Sequence, residues 1–145
     1  MDSSRITALA LFMFLWSCAG LEPVSQRDME SHTYDAPYEL VFQAVVSVLE
    51  GKGHRLVKVD REQGIVDTEP LETKYKRARI SAEVKPLGKQ RTEVRASIEL
   101  AEKGLMGGTY KPERPKLTMY EDLFQEIELQ VDRERFLRIE RRARQ

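Results

Sequence analysis

Few side chains in this sequence could carry out chemistry. Its one cysteine, Cys18, could act as a thiolate nucleophile or an acyl acceptor, but a single thiol makes neither an internal disulfide nor a cysteine-based metal site. His32 and His54 are the only imidazoles, too few for a metal cluster or a histidine-based triad. Asp60, Glu62, Asp67, Glu69 and Glu72 could supply a general acid and base. They fall, however, on strands and turns of a chain that is 33% charged, where some carboxylates will be neighbours without being partners. His54 opens a strand beside Arg55 and reads as solvated or cap-like. The sequence therefore singles out no catalytic residue, metal ligand or cofactor site, and the chain reads as a non-enzyme. The 24 basic and 24 acidic side chains balance. A nucleic-acid binder needs an excess of positive charge to displace counterions, so that class is set aside.

What the thiol of Cys18 could accept is a lipid. Arg5 precedes an uninterrupted run from Ile6 to Trp16, 11 residues long. That is too short to span a hydrocarbon core, which takes about 20 apolar residues, and matches the ~7–15 of a signal peptide. The run ends in Leu15-Trp16-Ser17-Cys18, which resembles the bacterial lipobox: an apolar residue three places before the cysteine and a small one just before it. Trp16 departs from the pattern, where a small residue is usual. The resemblance implies a diacylglyceryl group on Cys18, cleavage that leaves Cys18 first, and, with Ala19 following, an outer-membrane address facing the periplasm. A single acyl chain anchors only marginally, so stable attachment needs the full lipid modification. Cleavage after Ala19, releasing a soluble periplasmic protein, and retention as an uncleaved anchor are the competing readings.

With 145 residues there is room for one domain. Residues 1–17 read as the signal peptide, 18–32 as a flexible lipid-anchored tether, 33–131 as the domain and 132–145 as a basic helix end. The domain opens on Tyr34-Asp35-Ala36-Pro37, with Asp35 as N-cap and Pro37 in the first turn. Val41, Phe42, Val45, Val48 and Leu49 recur at helical steps, and Gly51 and Gly53 stop the helix. The period then changes. Residues 55–59 and 65–69 form a hairpin about Asp60–Gly64, with Val57 and Val59 sharing a face and Pro70 ending it. Ala78, Ile80, Ala82 and Val84, then Thr92, Val94, Ala96, Ile98 and Leu100, alternate with charged or hydroxyl residues in a second hairpin. Its charged face reads as solvated. Residues 102–117 read as a long loop, and a final helix runs to about Arg142. The expected fold is α+β: a four-stranded antiparallel sheet with two helices on one face, in the order α-β-β-β-β-α.

The residues Tyr34 to Val45, with Leu49, Gly53, Val59-Asp60 and Gly64-Ile65, resemble the helix-grip domains of the lipoprotein C subunit of the outer-membrane β-barrel assembly machinery. The resemblance spans roughly residues 33–130 and rests on structural signals, so it implies a helix-grip-like fold and carries over no functional residue. It suggests a non-catalytic envelope lipoprotein that contributes a protein–protein contact to outer-membrane assembly or maintenance. The alternative is a periplasmic carrier of lipid or a small ligand in a helix–sheet groove, with the small Ala78, Ala82 and Ala96 leaving room for a cavity or for a tightly packed helix.

Two segments are candidates for partner binding. In the last helix Tyr120, Leu123, Phe124, Ile127 and Val131 form one stripe, while Leu129, Phe136, Ile139 and Ala143 fall nearly opposite. Either the helix bends near Asp132, or its end projects and offers Phe136, Ile139 and Arg138 to an envelope protein or to anionic lipid. In the glycine-rich stretch 104–110, Leu105, Met106 and Tyr110 are expected to be exposed. Its glycine spacing does not make a phosphate-binding loop.

Overall fold

The computed structural model describes residues 30–104 and 108–144. In chain order the elements are β1 (Ser31–Tyr34), α1 (Tyr38–Gly51), β2 (Leu56–Asp60), β3 (Ile65–Thr68), β4 (Leu71–Glu72), β5 (Lys76–Pro86), β6 (Thr92–Lys103), β7 (Tyr110–Glu113) and α2 (Leu117–Ala143). The architecture is α+β with two helices and an antiparallel sheet. The sheet has seven strands in place of the expected four, in the order β1-β6-β5-β3-β2, with β4 added beside β5 and β7 beside β6.

The long β5–β6 hairpin is the spine. Its alternation sets the register: Ile80 faces Ile98, Ala82 faces Ala96 and Val84 faces Val94, all six buried on one face. On the other face Arg79 stands opposite Glu99, Glu83 opposite Arg95 and Lys85 opposite Glu93, so each charge meets its complement across the strands. The added strands flank this spine in two tiers. β3 and β1 pair with the half near the hairpin turn, β4 and β7 with the half near Lys76 and Lys103. β1 begins at Ser31, two residues inside the segment read as a tether. The strand was invisible in the sequence because Tyr34 is its only buried side chain. β7 likewise replaces part of the expected 102–117 loop: β6 runs on to Lys103 and the chain returns to pair with it.

The first helix buries Leu40, Val41, Phe42, Ala44, Val45, Val48 and Leu49, the predicted stripe with two additions. Its start differs from expectation. Pro37 itself is the N-cap, with extended backbone and no side-chain cap, and its carbonyl accepts from the Leu40 and Val41 amides. The Leu40 amide, from which a capping side chain would accept, is taken by the Pro37 carbonyl, and Asp35 does not act as the cap. The C-terminal stop is as read. Gly53 takes φ +83°, its N–H donates to the Glu50 carbonyl, and the His54 N–H donates to the Leu49 carbonyl. This pair of bonds is the Schellman arrangement, and only glycine enters that conformation at no steric cost.

The second helix buries Tyr120, Leu123, Phe124, Ile127 and Val131, the expected stripe. Both helical stripes and the inward rows of β5 and β6 form a single apolar cluster. Ala82 and Ala96, facing each other inside it, are small because helical side chains fill the space above them. Buried polar groups tie the layers. The Tyr34 hydroxyl donates to the Phe124 carbonyl at 3.0 Å, and the Thr92 hydroxyl donates to the Ala36 carbonyl at 2.9 Å. Thr68 bridges β3 to β5 by accepting from the Ile80 amide at 3.0 Å and donating to its carbonyl at 2.9 Å.

Candidate interaction surfaces

Three of the five carboxylates that might have done acid–base chemistry, Asp60, Glu69 and Glu72, have structural occupations. Asp60 Oδ1 accepts from the Glu62 and Gln63 amides at 3.1 and 2.9 Å and so shapes the β2–β3 turn. Glu72 pairs with Arg77, and Glu69 lies 3.6 Å from Arg55 on the surface. Among the described residues no three His, Cys, Asp or Glu side chains are grouped to hold a metal. No described helix is long and apolar enough to cross a membrane.

His54 is not solvated. It is buried just after the α1 stop, and its Nδ1 has no hydrogen-bond partner in the described structure. Burial, reinforced by the nearby Lys52 ammonium, holds its pKa below the ordinary imidazole value. In the window between the ordinary value and that lowered one, the unfolded chain binds a proton that the folded chain does not. Stability contributed by neutral His54 is therefore lost as pH falls through that window and changes no further below it. The melting temperature of wild type should drop more between about pH 7 and pH 5 than that of His54→Gln, since the free imidazole titrates near 6.5. Parallel curves for the two proteins would show that His54 carries none of the pH dependence.

Of the candidate binding residues, Tyr110, Phe136, Arg138 and Ile139 are described. Cys18, Leu105 and Met106 lie outside the described residues. Tyr110 is not the exposed loop residue expected. It opens β7 opposite Lys103, donates its hydroxyl to the Thr73 carbonyl at 3.2 Å, and carries the Arg77 guanidinium 4.7 Å from its ring centre. It fastens the β4–β7 end of the sheet. Phe136 lies 19 residues beyond the start of α2, roughly 29 Å along the helix axis at 1.5 Å per residue. Phe136 and Ile139 are each 61% exposed and Leu129 is 64% exposed. Of the two geometries left open by the sequence, the helix runs without interruption and its end presents this second stripe outward, with Arg138 exposed on the far side of the helix from it.

Sequence reading missed a second surface. β2 is the last strand on one side of the sheet and pairs only with β3 among the described residues. Val59 faces the buried Val66, yet Val57 and Val59 are 53% and 49% exposed. The strand is held from its turn: the Tyr38 hydroxyl donates to the Arg61 carbonyl, and the Arg61 guanidinium bonds Glu39 at 3.0 Å and lies 5.5 Å from the Phe42 ring centre. The alternation of Val57 and Val59 was visible in sequence, but edge position is a property of topology.

Two open depressions lie on the charged face of the sheet. One, of about 380 Å³, is lined by Pro70, Arg77, Arg79, Glu99 and Pro112, and one of about 470 Å³ by Asp67, Ser81, Glu83, Arg95 and Ser97. Neither is lined by a helix residue, so neither is the helix–sheet groove a carrier would use. No family model matches the chain, and no curated protein matches it.

Proposed function

We propose that this chain is a non-catalytic envelope lipoprotein, held on the outer membrane by lipid on Cys18, whose helix-grip-like domain contributes a protein–protein contact in outer-membrane assembly or maintenance. The observation that carries the contact is the outer edge of β2. An unpaired strand edge offers a row of backbone donors and acceptors to an incoming strand. Val57 and Val59 supply an apolar margin beside it, and the hold of Arg61 on α1 keeps the edge in place before a partner arrives. The register irregularity between Leu56 and Lys58, and the charges of Arg55, Lys58 and Asp60, limit indiscriminate pairing. The anchor rests on the lipobox resemblance of Leu15 to Cys18 and the short apolar run before it.

One experiment tests both halves. A photo-crosslinking amino acid is placed at Val57 in the otherwise native chain and in Cys18→Ala, and intact mass, membrane fractionation and crosslinks are read together. The native chain should carry the mass of an acylated N-terminus, fractionate with the outer membrane and yield a discrete protein adduct. The Cys18→Ala chain should lose all three. Acylation without an adduct would remove the β2 contact, and equal, unacylated behaviour of both chains would remove the anchor.

A further inference from the structure

The second stripe of α2 lies away from the β2 edge and has a different character. No residue from Asp132 to Arg144 is buried, so this end of the helix is not held by the core. At about 100° per residue, Leu129, Phe136, Ile139 and Ala143 fall within roughly 80° of one another. The same rotation puts Arg133 and Arg144 on one shoulder of that stripe and Arg135 and Arg142 on the other, with Arg138 and Arg141 behind. Residues 132–144 hold six arginines against Asp132, Glu134 and Glu140, a net of +3 in a chain whose formal total is zero. The rest of the chain therefore carries the compensating negative charge. Arg135 is engaged within the protein, its Nη2 donating to the Asp35 carbonyl at 2.9 Å and its Nη1 lying 3.5 Å from Asp132, so it borders the stripe without being free to leave it.

We propose that the C-terminal end of α2 lies on an anionic phospholipid surface, with Phe136 and Ile139 entering between the headgroups and the flanking guanidiniums on the phosphates. An apolar stripe with arginine on both shoulders is the pattern of a helix lying in the membrane interface. Arginine stems cover apolar surface while their heads stay at the phosphates. The two arginines at the back favour lipid over a protein partner. A helix is about 10–12 Å across, so they still feel the field of a charged sheet beneath it, which extends a Debye length of ~10 Å at 0.1 M salt. Against a single protein face they would contribute little. A symmetric pairing of this helix end with that of a second copy is disfavoured because it would bring +3 against +3. Asp132, which falls within the stripe between Leu129 and Phe136, and Glu140, at its margin, keep the seat shallow. The proposal does not depend on the β2 contact or on acylation of Cys18.

The test uses the full chain carrying Phe136→Trp, with Trp16→Phe to remove the other indole, and vesicles of phosphatidylcholine with or without about 30% phosphatidylglycerol, a typical anionic content. The indole emission should shift to the blue and be quenched by brominated acyl chains with the anionic vesicles only. About 1 M salt, where the Debye length is ~3 Å, should reverse the shift. Adding Arg133→Gln, Arg142→Gln and Arg144→Gln should weaken binding at least about tenfold, since each basic residue near such a surface counts for roughly fivefold. All three positions are exposed, so the thermal transition should be unchanged. No shift with anionic vesicles while the protein remains folded overturns the proposal and leaves an acidic protein as occupant. A shift that follows protein concentration without lipid overturns it in favour of a second copy.

Discussion

Gly64→Ala should destabilise the domain by more than about 4 kcal/mol, in the far tail of single substitutions, and leave little folded protein at 37 °C. Gly64 has φ +72°, and its carbonyl accepts from the Val84 amide at 2.7 Å. A methyl group there would overlap the Val84 carbonyl oxygen, a backbone atom that can move only if β5 moves with it. Relief would require the β2–β3 turn to lift off the spine, breaking the hold of Tyr38 and Arg61 on α1. Gly53→Ala is the control. Gly53 has φ +83° but nothing within 4 Å of its added carbon, so only the backbone term of roughly 1–2 kcal/mol applies. Urea unfolding followed by circular dichroism should separate the two widely. Equal losses would mean that the contact with Val84 is not what requires glycine at 64.

The same substitution at two phenylalanines should give opposite results. Phe42→Ala removes a ring with no exposed surface, packed beside Tyr38 at a centroid distance of 5.7 Å and covered by the Arg61 guanidinium. It loses both the transfer energy and the contacts around the resulting cavity, about 3–5 kcal/mol. That is a large part of the roughly 5–15 kcal/mol that holds a domain of this size together. Phe136→Ala removes a ring already 61% exposed and should change stability by no more than about 0.5 kcal/mol. A large loss at Phe136 in the urea midpoint would show that the end of α2 belongs to the core, and would deprive the lipid-facing proposal of its free surface.

Much of the domain was legible in the sequence for a definite reason. Where an element packs one face against the core, the periodicity of its side chains records that fact. The stripe from Val41 to Leu49, the alternation in β5 and β6, and the stripe from Tyr120 to Val131 are all of this kind, and each is buried as its spacing requires. Gly53 and Gly64 were legible because turn and helix-stop chemistry is local.

Elements held by backbone pairing alone left no such record. β1, β4 and β7 are two to four residues long and between them bury only Tyr34, so β1 was read partly as tether, β7 as loop, and β4 was not read at all. Tyr110 was read as free because its partners, Thr73 and Arg77, lie more than 30 residues away along the chain. His54 was read as solvated because local sequence does not show what lies over the α1 stop.

The sequence by itself determined the two apolar stripes of α2, the charge at its end, and the Leu15–Cys18 run on which the proposed anchor rests. All of these follow from residue type and spacing. Only the tertiary structure decided which α2 stripe is core and which is surface, that Val57 and Val59 border a strand edge unpaired among the described residues, and that Gly64 is pinned against Val84. Burial depends on which elements come together in space, and spacing along the chain constrains that choice without making it.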